Sequence, residues 1–162
     1  MVDTRKSQRR ELAFHCTGCL KEDLARIEAA ERAGTLRTTG NWTAGEILDH
    51  VAKTIEFSVD GFPPEVRVAW PVRIIARMMK GRVTSGRTLL AGFKLPKESA
   101  AFLPSPGAST ADGLARLRRV IDRIDGGARC THASPAFGRL THDEWMRLHL
   151  GHAQLHLGFI AV

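Results

Sequence analysis

One helix-start pattern occurs twice in this chain and fixes where two of its helices begin. A large apolar residue, a threonine, and a glutamate three places later stand at Trp42, Thr43 and Glu46, and again at Leu140, Thr141 and Glu144. The threonine hydroxyl can accept from the backbone N–H at the glutamate, while the glutamate carboxylate reaches back to the threonine N–H. Together they satisfy two donors that a helix start leaves unpaired. Trp42 with Ile47, and Leu140 with Trp145, supply the apolar staple that sets the entry angle. The earlier of these helices runs to about Asp60, where Gly61, Pro63 and Pro64 stop it. The later one continues nearly to the C-terminus.

Two further helices follow from apolar spacing. Over residues 5–33, Cys16, Leu20, Leu24 and Ile27 recur at helical steps, and Gly34 is placed to end the helix. From Ser109 or Thr110, the positions Leu114, Leu117, Ile121 and Ile124 share one face until Gly126 and Gly127. Residues 66–80 form a short apolar and basic helix candidate containing Trp70, Ile74, Ile75, Met78 and Met79, with Pro71 either in its first turn or dividing it. Residues 81–108, rich in Gly, Pro and Ser, read as a long connection with little regular structure. Its length suggests a cover over a functional site. Strand-forming runs are missing and the chain has no tyrosine. The expectation is an all-α four-helix bundle in one domain over residues 1–162, with an irregular connection between the second and third main helices.

Charge narrows the partners. The formal net charge is +7, and residues 66–97 hold eight basic and no acidic side chains: Arg67, Arg73, Arg77, Lys80, Arg82, Arg87, Lys94 and Lys97. That stretch fits a solvated basic face or a surface for an acidic ligand. Specific nucleic-acid recognition is not expected, because no DNA- or RNA-binding motif is present. No apolar run approaches the length of a membrane span. Three cysteines and a polar start without an apolar leader point to a reducing cytoplasm and no disulfide framework.

The inward faces of the two threonine-capped helices carry the chemistry. At about 100° per residue, His50 falls in the stripe of Ile47, Val51, Thr54 and Ser58. On the last helix Trp145, Leu148, His149, His152, His156 and Phe159 share one side. His152 and His156, four apart, lie one above the other. Burying several imidazoles is costly unless each finds a partner, and one divalent ion can satisfy three at once. His50, His152 and His156 are therefore the candidate metal ligands, and three protein ligands leave an open position for water or substrate. His149 is a possible neighbour of the site or an alternative ligand. His15, His132 and His142 fall at a helix start or in loops and read as surface residues.

Three segments together resemble a known family. NWTAGEILDH (41–50) resembles the W-[ST]-x-x-x-[IL]-[LV]-x-H motif of the DinB/YfiT-like superfamily of proposed metalloenzymes. HAQLH (152–156) resembles its closing HxxxH. SPAFGRLTHDEW (134–145) resembles a segment of its domain-of-unknown-function 1569 branch. The resemblance implies a four-helix bundle and a metal held by His50, His152 and His156. It also implies chemistry like that of thiol-dependent S-transferases and a mycothiol-dependent isomerase, in which the metal activates a low-molecular-weight thiol. Homodimers are common in the superfamily. The branch often carries a histidine just before the last ligand, where this chain has Leu155.

Other motifs carry less. HCTGC (15–19) contains a CxxC, but it lies early in a helix pattern and not after a strand, and no second CxxC completes a zinc site. Cys130 and His132 show no third orienting group. No phosphate-binding glycine loop is present. The leading expectation is a metal-dependent enzyme of transferase or hydrolase type, with Zn²⁺ or Ni²⁺ and a small substrate, an acidic one fitting the basic stretch. The alternative is a non-catalytic bundle that binds a small ligand or metal. Imidazole suits Zn, Ni, Cu and Fe alike, so the pattern does not choose between them.

Overall fold

The computed structural model describes residues 2–92 and 97–162, with the backbone alone at 97–99. The described chain is mostly helical. Helix α1 spans Thr17–Arg32, α2 Ala44–Asp60, α3 Trp70–Met78, α4 Lys80–Val83, α5 Thr110–Asp125 and α6 His142–Leu157, with a 3-10 helix over Lys97–Phe102. Two short strands, β1 (Arg37–Thr38) and β2 (Ile160–Ala161), pair antiparallel with Arg37 opposite Ala161. Among the described residues no helix is long and apolar enough to cross a membrane.

Both threonine starts form as the sequence predicts. Thr43 and Thr141 accept from the N–H groups of Glu46 and Glu144, and both glutamates return the bond to the cap backbone. Ser109 caps α5 by accepting from Asp112. The helices bury the faces their spacing marks. Leu20, Leu24 and Ile27 of α1 meet Ile47, Leu48, Val51 and Ile55 of α2. Leu114, Leu117 and Ile121 of α5, and Ala153 and Leu157 of α6, complete this cluster. A second cluster holds Cys130, Leu140, Trp145 and Leu148, with Phe62 against it. Helices α2 and α5 approach closely because Gly113 has no side chain. A Cβ there would lie 2.7 Å from Leu48 Cβ and 2.9 Å from the Gly45 carbonyl oxygen.

The first helix begins much later than the expected residue 5. Residues 8–14 run without regular structure across the end of α6, and α1 opens only at Thr17 with Cys16 as its cap. The reason is tertiary. The Arg10 N–H donates to the Gly158 carbonyl, and the Arg10 guanidinium holds Asp23 at 2.7 and 2.9 Å. It also donates to the carbonyls of Leu157 and Ile160. The Leu157 and Gly158 carbonyls are among those that the end of α6 leaves without helical partners, and Ile160 lies in β2 just beyond. Cys16 is accordingly exposed and not part of the apolar face.

The middle section is more structured than expected. Pro71 sits in the first turn of α3, the first of its two expected places. Within 81–108, however, α4 ends at Val83 and the 3-10 helix spans Lys97–Phe102. Residues 93–96, including Lys94, lie outside the described residues. Helix α3 rests on the surface: Trp70 is 72% exposed and Met78 82%, while Val72 and Ala76 are half-buried.

Candidate metal centre

His50 sits in the middle of α2, and His152 and His156 on the last two turns of α6. The structure brings all three together: one ligand atom from each lies within 4.8 Å of the others. Ring centroids are 4.9 Å apart for His50 and His152, 4.5 Å for His50 and His156, and 4.4 Å for His152 and His156. His50 is buried, and the other two keep part of their surface accessible.

Hydrogen bonds to the outer nitrogens set which ring atom faces inward. His50 Nδ1 lies 2.6 Å from the Phe102 carbonyl oxygen, which can only accept, so Nδ1 carries the proton. Thr54 Oγ1 donates to the Val51 carbonyl at 2.8 Å, so its contact with His152 Nδ1 at 3.4 Å has the imidazole as donor. Both rings are thereby left with an unprotonated Nε2. These two nitrogens face each other at 3.1 Å. Two lone pairs at that distance repel unless a cation lies between them. Two nitrogens bound tetrahedrally to one ion at about 2.0–2.1 Å would be roughly 3.3 Å apart. The donor set fits a divalent metal. A metal-bound histidine that donates its other N–H to a carbonyl or hydroxyl is the usual way such a ring is fixed.

The electrostatics agree. Burial holds His50 at a pKa of about 4, against an ordinary value of 6.5, despite the Phe102 carbonyl that favours its proton. His152 and His156 are also lowered, first by burial and then by the neighbouring imidazoles. All three are neutral near pH 7, which is the form that binds metal. Trp42 stacks on His156 with centroids 5.6 Å apart and planes at 16°, and lies 4.9 Å from His50.

His149 does not join the ligand set. It is buried and stacked on Trp145, with centroids 5.0 Å apart and planes at 11°. Its Nε2 is 2.8 Å from Ser58 Oγ, and its Nδ1 is buried without a protein partner among the described residues. Asp49, beside His50, turns away from the site. It accepts from Arg116 and from the Ser105 N–H, and pairs with Lys53. His15 and His132 are exposed as expected, but His142 is half-buried, and its Nδ1 accepts from the Cys130 N–H. Cys130 is buried, and no bond joins it to His132 among the described residues.

Three residues that shape the site escaped the sequence reading in this role. Trp42 was legible only as a staple, and Thr54 only as a stripe residue. Phe102 contributes a backbone carbonyl, for which no side-chain pattern exists. The irregular connection nevertheless reaches the site, since Phe102 fixes His50, and Leu103 accepts from Lys53. Three of the stretch's basic side chains lie apart from the site. Arg67, Arg73 and Arg77 line a separate cleft of about 630 Å³ with Arg139, and none of the three histidines lines that cleft.

No curated protein and no solved structure matches the chain. A family model does match, over residues 6–162. That span holds all three histidines and every helix around them, and the chain belongs to the family described as Protein of unknown function (DUF1569).

Proposed function

We propose that this chain is a divalent-metal-dependent enzyme of the DinB/YfiT-like superfamily, one four-helix-bundle domain whose metal is held by His50, His152 and His156. The observation that carries the reading is the three-histidine cluster, its ligand atoms within 4.8 Å of one another and the His50 and His152 Nε2 atoms 3.1 Å apart, with the other nitrogen of each of those two rings held by a polar partner. An apolar core does not need such an arrangement, and a cation resolves it.

A bound divalent ion supplies Lewis acidity, lowering the pKa of a water or thiol at its open position so that a nucleophile exists near neutral pH. The chain's own residues do the rest. The Phe102 carbonyl and Thr54 hydroxyl orient two ligands, and Trp42 covers His156 and limits water on that side. Among the described residues no carboxylate joins the three histidines, and Asp49 is committed to Arg116, Lys53 and Ser105. Transfer of a low-molecular-weight thiol fits this site better than hydrolysis, because a thiol once ionised attacks without a separate general base. Zn²⁺ and Ni²⁺ both suit three imidazoles.

A second reading, a non-catalytic protein for a small acidic ligand, is favoured by the arginine cleft. Arg67, Arg73, Arg77 and Arg139 make no ion pair among the described residues. Elemental analysis of untagged protein purified without chelator tests the first reading. About one metal per chain, lost in both His50→Ala and His152→Ala/His156→Ala with helicity retained, is expected. Metal absent after reloading with Zn²⁺ and Ni²⁺, or retained in His50→Ala, refutes it. Thiol-dependent turnover of electrophiles by the loaded protein separates enzyme from binding protein.

A further inference from the structure

The CxxC of residues 15–19 changes meaning once the true start of α1 is known. In a helix beginning near residue 5 these cysteines would lie in its interior. In the structure Cys16 is the N-cap, with extended backbone (φ −155°, ψ 170°), and Cys19 stands in the first turn. The two sulfurs are 3.2 Å apart. Cys16 Sγ also accepts from the Cys19 N–H at 3.4 Å, one of the donors that a helix start leaves free.

The two thiols are not equivalent. Cys16 is exposed, whereas Cys19 is half-buried against the core. The first turn of α1 holds no acidic residue, and the partial positive charge of the helix start acts on Cys16. The Cys19 backbone and thiol hold the Cys16 thiol below its ordinary pKa, outweighing burial and the charge of Glu22. An exposed thiol at a helix N-terminus, stabilised as thiolate and touching a second thiol, is the arrangement of a reactive dithiol. Cys130 is the internal contrast. It is buried, and burial pushes its thiol up.

We propose that Cys16 and Cys19 form a redox-active dithiol that exchanges with low-molecular-weight disulfides and cycles to an intrachain Cys16–Cys19 disulfide. In the first step the Cys16 thiolate attacks one sulfur of the disulfide RSSR. A Cys16–SR bond forms, the S–S bond of the reagent breaks, and RS⁻ leaves and takes a proton from solvent. In the second step Cys19, having given its proton to solvent, attacks the Cys16 sulfur. The Cys16–SR bond breaks, the second RS⁻ leaves, and the Cys16–Cys19 bond remains. The net change is two protein thiols and one RSSR giving one protein disulfide and two RSH, with two electrons passing to the reagent. The proposal does not depend on the histidine centre, since none of its groups is a candidate ligand.

The test uses the full chain, reduced, desalted, and equilibrated anaerobically in graded ratios of oxidised to reduced glutathione. Samples are acid-quenched and alkylated under denaturing conditions. Rising oxidised glutathione is expected to lower the alkylated cysteines from three to one, with Cys130 the one retained. The unalkylated chain should lose two hydrogens in mass, and peptide mapping should join Cys16 to Cys19. In Cys19→Ser the reaction should stop at a glutathione adduct on Cys16. That adduct should form about tenfold faster than the adduct on Cys19 in Cys16→Ser. Three alkylated cysteines at every ratio, or a stable glutathione adduct on the wild-type chain without the internal disulfide, would overturn the proposal. Equal rates in the two variants would overturn Cys16 as the attacking thiol.

Discussion

His149 makes the stability of this chain depend on pH in a way that can be isolated. The ring is buried, stacked on Trp145, and among the described residues bonded only to Ser58. Ser58 Oγ already donates to the Ile55 carbonyl at 2.7 Å, so His149 is the donor in its bond to Ser58, and Nδ1 holds the lone pair. A proton arriving on Nδ1 would find no acceptor and no water-like surroundings. Burial, with a smaller contribution from the charge of His142, therefore lowers the pKa from 6.5 to about 3. The folded value lies below the unfolded one, so the unfolded chain binds the extra proton first. The stabilising contribution is complete above pH 6.5 and is lost as pH falls toward 3. Between pH 7.5 and 5 the native ring stays neutral while the unfolded ring becomes almost fully charged, a difference of about 2 kcal/mol. That figure would barely change with a native pKa of about 4. Replacing His149 by Gln removes the titration, along with the stack on Trp145. Urea unfolding of both proteins, stripped of metal by chelator, measures it. Wild type should be the more stable at pH 7.5, and its advantage should shrink by about 2 kcal/mol at pH 5. An advantage that stays constant to within about 0.5 kcal/mol would refute the assignment of His149 as a buried neutral ring.

Two other substitutions probe the framework and the site. Gly113→Ala places a methyl against Leu48 and the Gly45 carbonyl, and should destabilise the chain by about 1–3 kcal/mol in the same urea assay. An unchanged midpoint would mean that α2 and α5 do not pack as closely as described. Thr54→Val keeps the side-chain shape but removes the acceptor for His152 Nδ1. Metal affinity, measured by competition with a chromophoric chelator, should fall about tenfold with the fold intact, and an unchanged affinity would remove Thr54 from the support of the site.

The parts of this molecule that were legible in its sequence are those set by local chemistry. Thr43 with Glu46, and Thr141 with Glu144, form a local hydrogen-bonded device, so the starts of α2 and α6 could be read to the residue. The face shared by His152 and His156 follows from helical geometry alone, and placing His50 in the α2 stripe required only the same rule. The start of α1 was not legible, because nothing near residues 8–14 forbids a helix. What holds that stretch extended is Arg10, bonded to Asp23 and to the carbonyls of Leu157, Gly158 and Ile160 at the far end of the chain. Local propensity gave way to a long-range contact.

The same division runs through the candidate metal centre, where the orientation of the ligands is set by contacts distant in sequence. A ligand histidine has two nitrogens, and the one that faces inward is decided by what the other one meets. For His50 that partner is a backbone carbonyl of Phe102, at the end of a 3-10 turn inside a stretch that reads as irregular connection. Any residue at position 102 would present a carbonyl, so the contact leaves no trace in residue type. The side chain of Phe102 serves a different end, packing on Phe57 and Phe62 at 5.6 and 6.0 Å. That aromatic contact anchors the turn, and the anchored turn aims the carbonyl. The connection between α4 and α5 thus acts on the histidine cluster through its backbone, and its apolar side chain is what keeps that backbone in place.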